Sequence, residues 1–129
     1  MATPLFLDLE HIMRLHRSLI ERYGGTDGTR DIGMLHSAIS MPQASYGGEY
    51  LHADLYEMAA AYMYHIVQNH PFIDGNKRTA FAVTDVFLKM NGILISASPE
   101  DTVSFVYSLY GSKTFNFEEL ATWLRNNTE

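Results

Sequence analysis

Cysteine is absent from the 129 residues, which excludes disulfide staples, Cys-ligated zinc and a catalytic thiol together. Long apolar runs are missing too. His, Gln, Asp or Lys interrupts each hydrophobic stretch well before the about 18 residues that a membrane span needs, so no membrane association is expected. No charged-then-apolar leader opens the sequence, which makes the cytoplasm the expected compartment. Cations are scarce, with 9 Lys and Arg against 15 Asp and Glu for a net charge of −6. Without a broad basic face to neutralise a phosphate backbone, no direct nucleic-acid binding is expected. The scarcity is sharpest between residues 31 and 76, where Asp31, Glu49, Asp54, Glu57 and Asp74 occur but no Lys or Arg. Lys77 and Arg78 then follow as the only adjacent Lys/Arg pair in the chain.

What is present, 47% hydrophobic and 19% charged residues, describes one globular domain spanning residues 1–129. Apolar side chains at Leu9, Ile12, Met13, Leu19, Ile20 and Tyr23 predict a helix over residues 8–23, with Asp8 as its N-cap and Gly24, Gly25 and Gly28 ending it. A second helix starts near Asp31, buries Met34, Leu35, Ala38 and Ile39, and stops before Pro42. Residues 42–52 read as a mobile connection. Residues 53–69 are apolar nearly all round, the mark of a central buried helix, in which Tyr62 and Tyr64 read as packing. A helix over residues 76–90, capped near Gly92, carries Phe81, Thr84, Phe87 and Leu88 on one face. Residues 93–95 are too few for periodicity to separate strand from extended linker. Ser98 and Pro99, followed by Glu100 and Asp101, start a helix that buries Val103, Val106 and Leu109 and breaks at Gly111. Asn116 and Glu119 cap a last one with Leu120, Trp123 and Leu124. The fold class is therefore all-α, about six helices with little sheet.

Polar chemistry is concentrated in His70, Pro71, Phe72, Ile73, Asp74, Gly75, Asn76, Lys77 and Arg78, the segment joining the two most buried helices. Pro71 stops one helix and leaves His70 at its end, and Phe72 anchors the loop. Gly75 and Asn76 permit a sharp turn whose backbone N–H groups lead into the next helix, and a helix N-terminus suits phosphate. Lys77 and Arg78 in that first turn oppose the helix dipole unless an anion sits there. Asp74 supplies a carboxylate of the kind magnesium uses together with phosphates and water. Imidazole titrates near neutrality, so His70 suits a role as base toward a hydroxyl. By contrast His11 and His16, and likewise His65 and His70, are five apart, a poor spacing for shared metal ligation. His11, His16, His36 and His65 read as structural or surface residues. No P-loop or protein-kinase motif is present.

The segment from His70 to Arg78 resembles the signature of the Fic/Doc superfamily, and its Asn76-Lys77-Arg78 ending resembles the Doc (death-on-curing) toxin branch. Residues 19–25, residues 30–35, Pro42-Gln43 and a glycine-containing flap recur in Doc-like proteins in this order. The resemblance implies a Fic/Doc-like helical bundle with a short flap, with His70 as general base for a Ser or Thr hydroxyl and Asp74 as the magnesium carboxylate. It implies further that Gly75, Asn76, Lys77 and Arg78 grip the phosphates of ATP. Ser45, Tyr46, Gly47, Gly48, Glu49, Tyr50 and Leu51 would be a flap that aligns the target peptide through its backbone.

Adenylylating Fic enzymes usually carry Gly-Asn-Gly-Arg and a second arginine three residues on. Here Lys77 stands in the place of that glycine and Phe81 in that of the second arginine, both matching the Doc branch. The resemblance thus implies a toxin that moves the γ-phosphate of Mg·ATP to a protein, translation elongation factor Tu being the family expectation. The family's inhibitory helix is not evident, which implies a separate cognate antitoxin. Transfer of AMP, and a non-catalytic toxin-antitoxin binding module, are the alternatives.

Overall fold

The structure, a computed structural model, describes residues 3–111 and 115–129. Among them are six helices: α1 (Leu9–Tyr23), α2 (Ile32–Ser40), α3 (Leu55–Asn69), α4 (Asn76–Met90), α5 (Pro99–Gly111) and α6 (Phe117–Asn126). The only sheet among the described residues is a hairpin of β1 (Ser45–Tyr46) and β2 (Glu49–Tyr50) between α2 and α3. The all-α expectation is met. No helix of the described residues is long and apolar enough to cross a membrane.

Helix starts follow short polar side chains. Asp8, Asp31, Asp54 and Asn116 each accept a hydrogen bond from the N–H three residues on, at 2.8–3.0 Å. Ser98 does the same for Asp101 at 3.1 Å. Such caps contribute typically about 1 kcal/mol each. α4 differs, because it starts on Gly75 with no side-chain cap. At its other end, Gly92 N–H reaches Lys89 O and Ile93 N–H reaches Leu88 O, the paired bonds of a glycine-terminated helix.

α3 is the central element, packed against α4, α6 and α2, while α4 also meets α1 and α5. Residues 58–63 of α3 are buried without a break, as its unrelieved apolar sequence requires. Tyr62 is wholly buried and its hydroxyl accepts the Leu7 N–H at 3.0 Å, pinning the segment ahead of α1 to the core. Residues 93–95 are extended and run beside the C-terminus, with Glu129 N–H donating to Leu94 O at 2.8 Å.

Some expectations are corrected. The connection over residues 42–52 contains the hairpin, with register Ser45↔Tyr50 and Tyr46↔Glu49. Its two-residue turn, Gly47-Gly48, has φ of 61° and 84°, the positive values that match a turn to strand twist. Met34 is 42% exposed, because it lies at the edge of the stripe formed by Leu35, Ala38 and Ile39. In α5, Val106 is buried, whereas Val103 and Leu109 are only half-buried.

Candidate active site

α3 ends at Asn69, and His70 caps it in the left-handed conformation, φ 49° and ψ 53°. Among the described residues it is the only non-glycine with positive φ. Such strain persists where surrounding bonds over-determine it. Here Arg30 supplies them: its Nε donates to His70 O at 2.6 Å and its Nη2 to Asn69 O at 2.8 Å. A guanidinium on the last carbonyls of a helix also favours the dipole. The backbone beside Arg30 continues the support, with Arg30 N–H and Asp31 N–H on Pro71 O and Ile73 N–H on Gly28 O. Residues 28–31 thus lie alongside the motif loop as a brace.

Asn76 closes the loop from within. It is 4% exposed; its Oδ1 accepts Phe72 N–H and its Nδ2 donates to Phe72 O, both at 2.9 Å. Both functions of this amide serve the shape of the loop, so what Asn76 offers a phosphate is its main-chain N–H at the helix start. Phe72, 1% exposed, is the anchor its sequence position suggested.

Asp74 is exposed at the turn. Its Oδ1 accepts Gly75 N–H at 2.8 Å and its Oδ2 accepts Thr26 N–H at 3.2 Å. A carboxylate has about four acceptor positions, so these bonds orient it and leave capacity for a hard cation. Gly25 makes room for it, since a Cβ there would come within 2.7 Å of Asp74 Oδ2. The residues present therefore fit magnesium bound through one carboxylate, with phosphates and water completing the coordination.

His70, Asp74, Gly75, Asn76, Lys77 and Arg78 line one cavity of about 270 Å³, with Ile73 and Tyr107 completing its wall. Each cation lies by an aromatic ring: Arg78 Cζ is 4.5 Å from the Tyr23 centroid and Lys77 Nζ is 5.4 Å from that of Tyr107. No acidic residue occupies the first turn of α4. The cavity thus combines a helix N-terminus, two cations, a carboxylate and an imidazole. Its volume is below the roughly 300–1,000 Å³ of typical ligand pockets, so it holds a small group or one end of a larger ligand.

The flap residues Ser45, Tyr46, Gly47, Gly48, Glu49, Tyr50 and Leu51 do not line this cavity; they form the hairpin and the residue after it. Tyr46 and Leu51 are 83% and 61% exposed, and Phe6 meets Tyr50 with 5.7 Å between ring centroids. A larger cavity, about 570 Å³, opens among His52, His65, Glu118 and Glu119 and contains none of the motif. Burial, and then the neighbouring His52, lowers the pKa of His65 there. Among the described residues no three His, Asp or Glu side chains group as a metal site.

The Fic/DOC family model matches residues 6–88, from the segment pinned by Tyr62 through most of α4. The chain belongs to the Fic/DOC family. Two relatives are similar to it: Toxin Doc of Mycolicibacterium smegmatis, 40% identical over 75 residues, and Protein kinase doc of Escherichia phage P1, 38% identical over 91 residues. The first match covers 58% of each chain, and the second covers 70% of this chain and 71% of the phage protein. The matched Fic/DOC region holds every residue that lines the cavity except Tyr107.

The motif is legible in the sequence, whereas Arg30's hold on His70 is not, and His16 reads there as structural or surface. Of these two readings the structural one holds, since His16 is buried under the motif loop with its Nε2 2.8 Å from Asp74 O. One signal was available: residue 16 falls in the apolar stripe of Leu9, Ile12, Met13 and Ile20, where a polar side chain needs a partner.

Proposed function

We propose that this chain is a Doc-like toxin that transfers the γ-phosphate of Mg·ATP to a Ser or Thr hydroxyl of a protein, translation elongation factor Tu being the target the resemblance implies. A cognate antitoxin restrains it. One observation carries the reading: His70, Asp74 and the cationic start of α4 converge on a single phosphate-sized cavity. The names of the relatives, a toxin and a protein kinase, support it.

In this reading His70 accepts the hydroxyl proton as the target oxygen bonds to the γ-phosphorus. The bond from that phosphorus to the β–γ bridging oxygen breaks, and ADP leaves. Lys77, Arg78 and the N–H groups of the first turn of α4 hold the phosphates, and Asp74 holds magnesium. Magnesium held there would offset phosphate charge. Catalysis is then mainly positioning and charge neutralisation, as for phosphoryl transfer in general. The Ser45–Tyr46 and Glu49–Tyr50 hairpin, whose strands are exposed, adds its edge to an extended target segment.

The test is incubation with a cell extract and ATP labelled at either the α or the γ position. Label on protein from the γ position only is expected. Label from the α position only would replace phosphotransfer by adenylylation, and none from either, in protein freed of antitoxin, would leave a binding module. His70→Asn tolerates the left-handed backbone and removes the base. It is expected to fold normally and transfer nothing; full transfer would remove His70 from its role.

A further inference from the structure

α1 lies at the surface, yet its buried face carries a titratable side chain. His16 is 3% exposed. Its ring lies parallel to that of Phe72, with 3.9 Å between centroids and 5° between planes, and its Nε2 is 2.8 Å from Asp74 O. A carbonyl oxygen only accepts, so Nε2 carries a proton and donates. His16 does not line the cavity and has no part in the reaction above. Packing on Phe72 alone could be served by another aromatic ring.

We propose that His16 is a positioning residue for the Asp74 carboxylate; this rests on the reading of Asp74 as the magnesium ligand. The path runs through one rigid group. The peptide joining Asp74 to Gly75 is planar, so its carbonyl and its N–H turn together. His16 holds the carbonyl end, and the N–H end donates to Asp74's own Oδ1 at 2.8 Å. Turning that plane would take away the donor that aims the carboxylate. A hydrogen bond on the carbonyl also strengthens the N–H at the other end of the amide. The second oxygen, Oδ2, is held by Thr26 N–H, next to Asp27, whose Oδ1 is 3.9 Å from His16 Nδ1. His16 therefore ties α1, residues 26–27 and the motif turn together at the carboxylate.

Three variants of the full chain test this. His16→Phe keeps a ring on Phe72 and removes the donor. His16→Gln places an amide N–H at about the reach of Nε2, and His16→Asn is too short for it. Nucleotide binding is measured at fixed ATP with Mg²⁺ varied, and amide exchange at Gly75 and Thr26 is measured with no nucleotide present. His16→Phe and His16→Asn are expected to need about 10–100-fold more Mg²⁺, the usual effect of losing a group that orients a ligand. Both should exchange faster at Gly75, and His16→Gln should recover most of both readouts. A Gly75 amide that exchanges as in the wild type in either donorless variant overturns the inference. So does a folded His16→Gln that behaves like His16→Phe, since the hydrogen bond would then not be what matters. If His16→Phe fails to fold, His16→Asn decides alone. A wild-type chain that binds no Mg·ATP would defeat the functional reading instead, and the exchange measurement would still decide whether His16 holds the turn.

Discussion

The left-handed backbone of His70 costs roughly 1–2 kcal/mol for a residue with a Cβ, and Arg30 is placed to offset it through two carbonyls at once. A lysine cannot reproduce that fork. Arg30→Lys is expected to lower the transfer rate about 10–100-fold, the scale of a 1 Å misplacement of a reacting group. The Mg·ATP KM should change little, because the cavity's cations are untouched, while thermal stability should fall by up to about 1–2 kcal/mol as the strain at His70 loses its offset. Wild-type kcat in that variant would show that α3 and Pro71 alone set His70. At Tyr62 the balance concerns stability, since burial pushes the phenol up to about 12, above its ordinary value of 10.0. A raised folded value means that this stability is complete below pH 10 and is lost as pH rises toward 12. Tyr62→Phe removes that alkaline loss but leaves the Leu7 N–H without its acceptor, costing about 1–3 kcal/mol at neutral pH. Urea denaturation across pH checks both; an unchanged midpoint at pH 7 would mean that Leu7 finds another acceptor.

Elements were legible wherever a local rule chose them. Asp8, Asp31, Ser98 and Asn116 announce their helices through capping chemistry that reaches only three residues, and each does so in the structure. The start of α4 was legible for the opposite reason, two cations where a helix prefers acids. The hairpin was not, because strands of two residues are too short for alternation to register, and the turn dihedrals of Gly47 and Gly48 decide the pairing. Nor were the roles of His16 and Arg30, whose bonds span 58 and 40 residues and exist only once α1, the brace and the loop have packed. At the hairpin, Gly47→Asn should be tolerated, since asparagine suits this turn. Gly48→Val puts a β-branched residue at φ 84° and should open it. The KM for protein target should then rise with Mg·ATP binding unchanged. Target transfer at wild-type KM by Gly48→Val would take the hairpin out of target alignment.

Over the whole molecule, a net charge of −6 surrounds a cavity lined by Lys77 and Arg78, and distance reconciles that with the proposed anionic ligand. At physiological salt the screening length is about 8 Å, so scattered surface acids act weakly on a ligand in the cavity. Lys77 and Arg78 line the cavity at the start of α4 and would act on an anion there at contact range. A basic surface covering 6–10 nucleic-acid phosphates loses about 10³–10⁵ in affinity between 50 and 200 mM salt. This chain has one focused cationic pair at the motif, so Mg·ATP affinity should fall by less than about tenfold over that range, and duplex DNA should not bind at all. Replacing the charge isolates its share. Lys77→Gln keeps a polar side chain at the cavity wall and should weaken Mg·ATP binding about tenfold or more, as expected for a hydrogen bond to a charged group worth roughly 1.5–3 kcal/mol. It should also flatten the salt dependence that remains. Calorimetric titration at two ionic strengths reads both quantities, and a Lys77→Gln protein with wild-type affinity and wild-type salt dependence would place the phosphates away from α4.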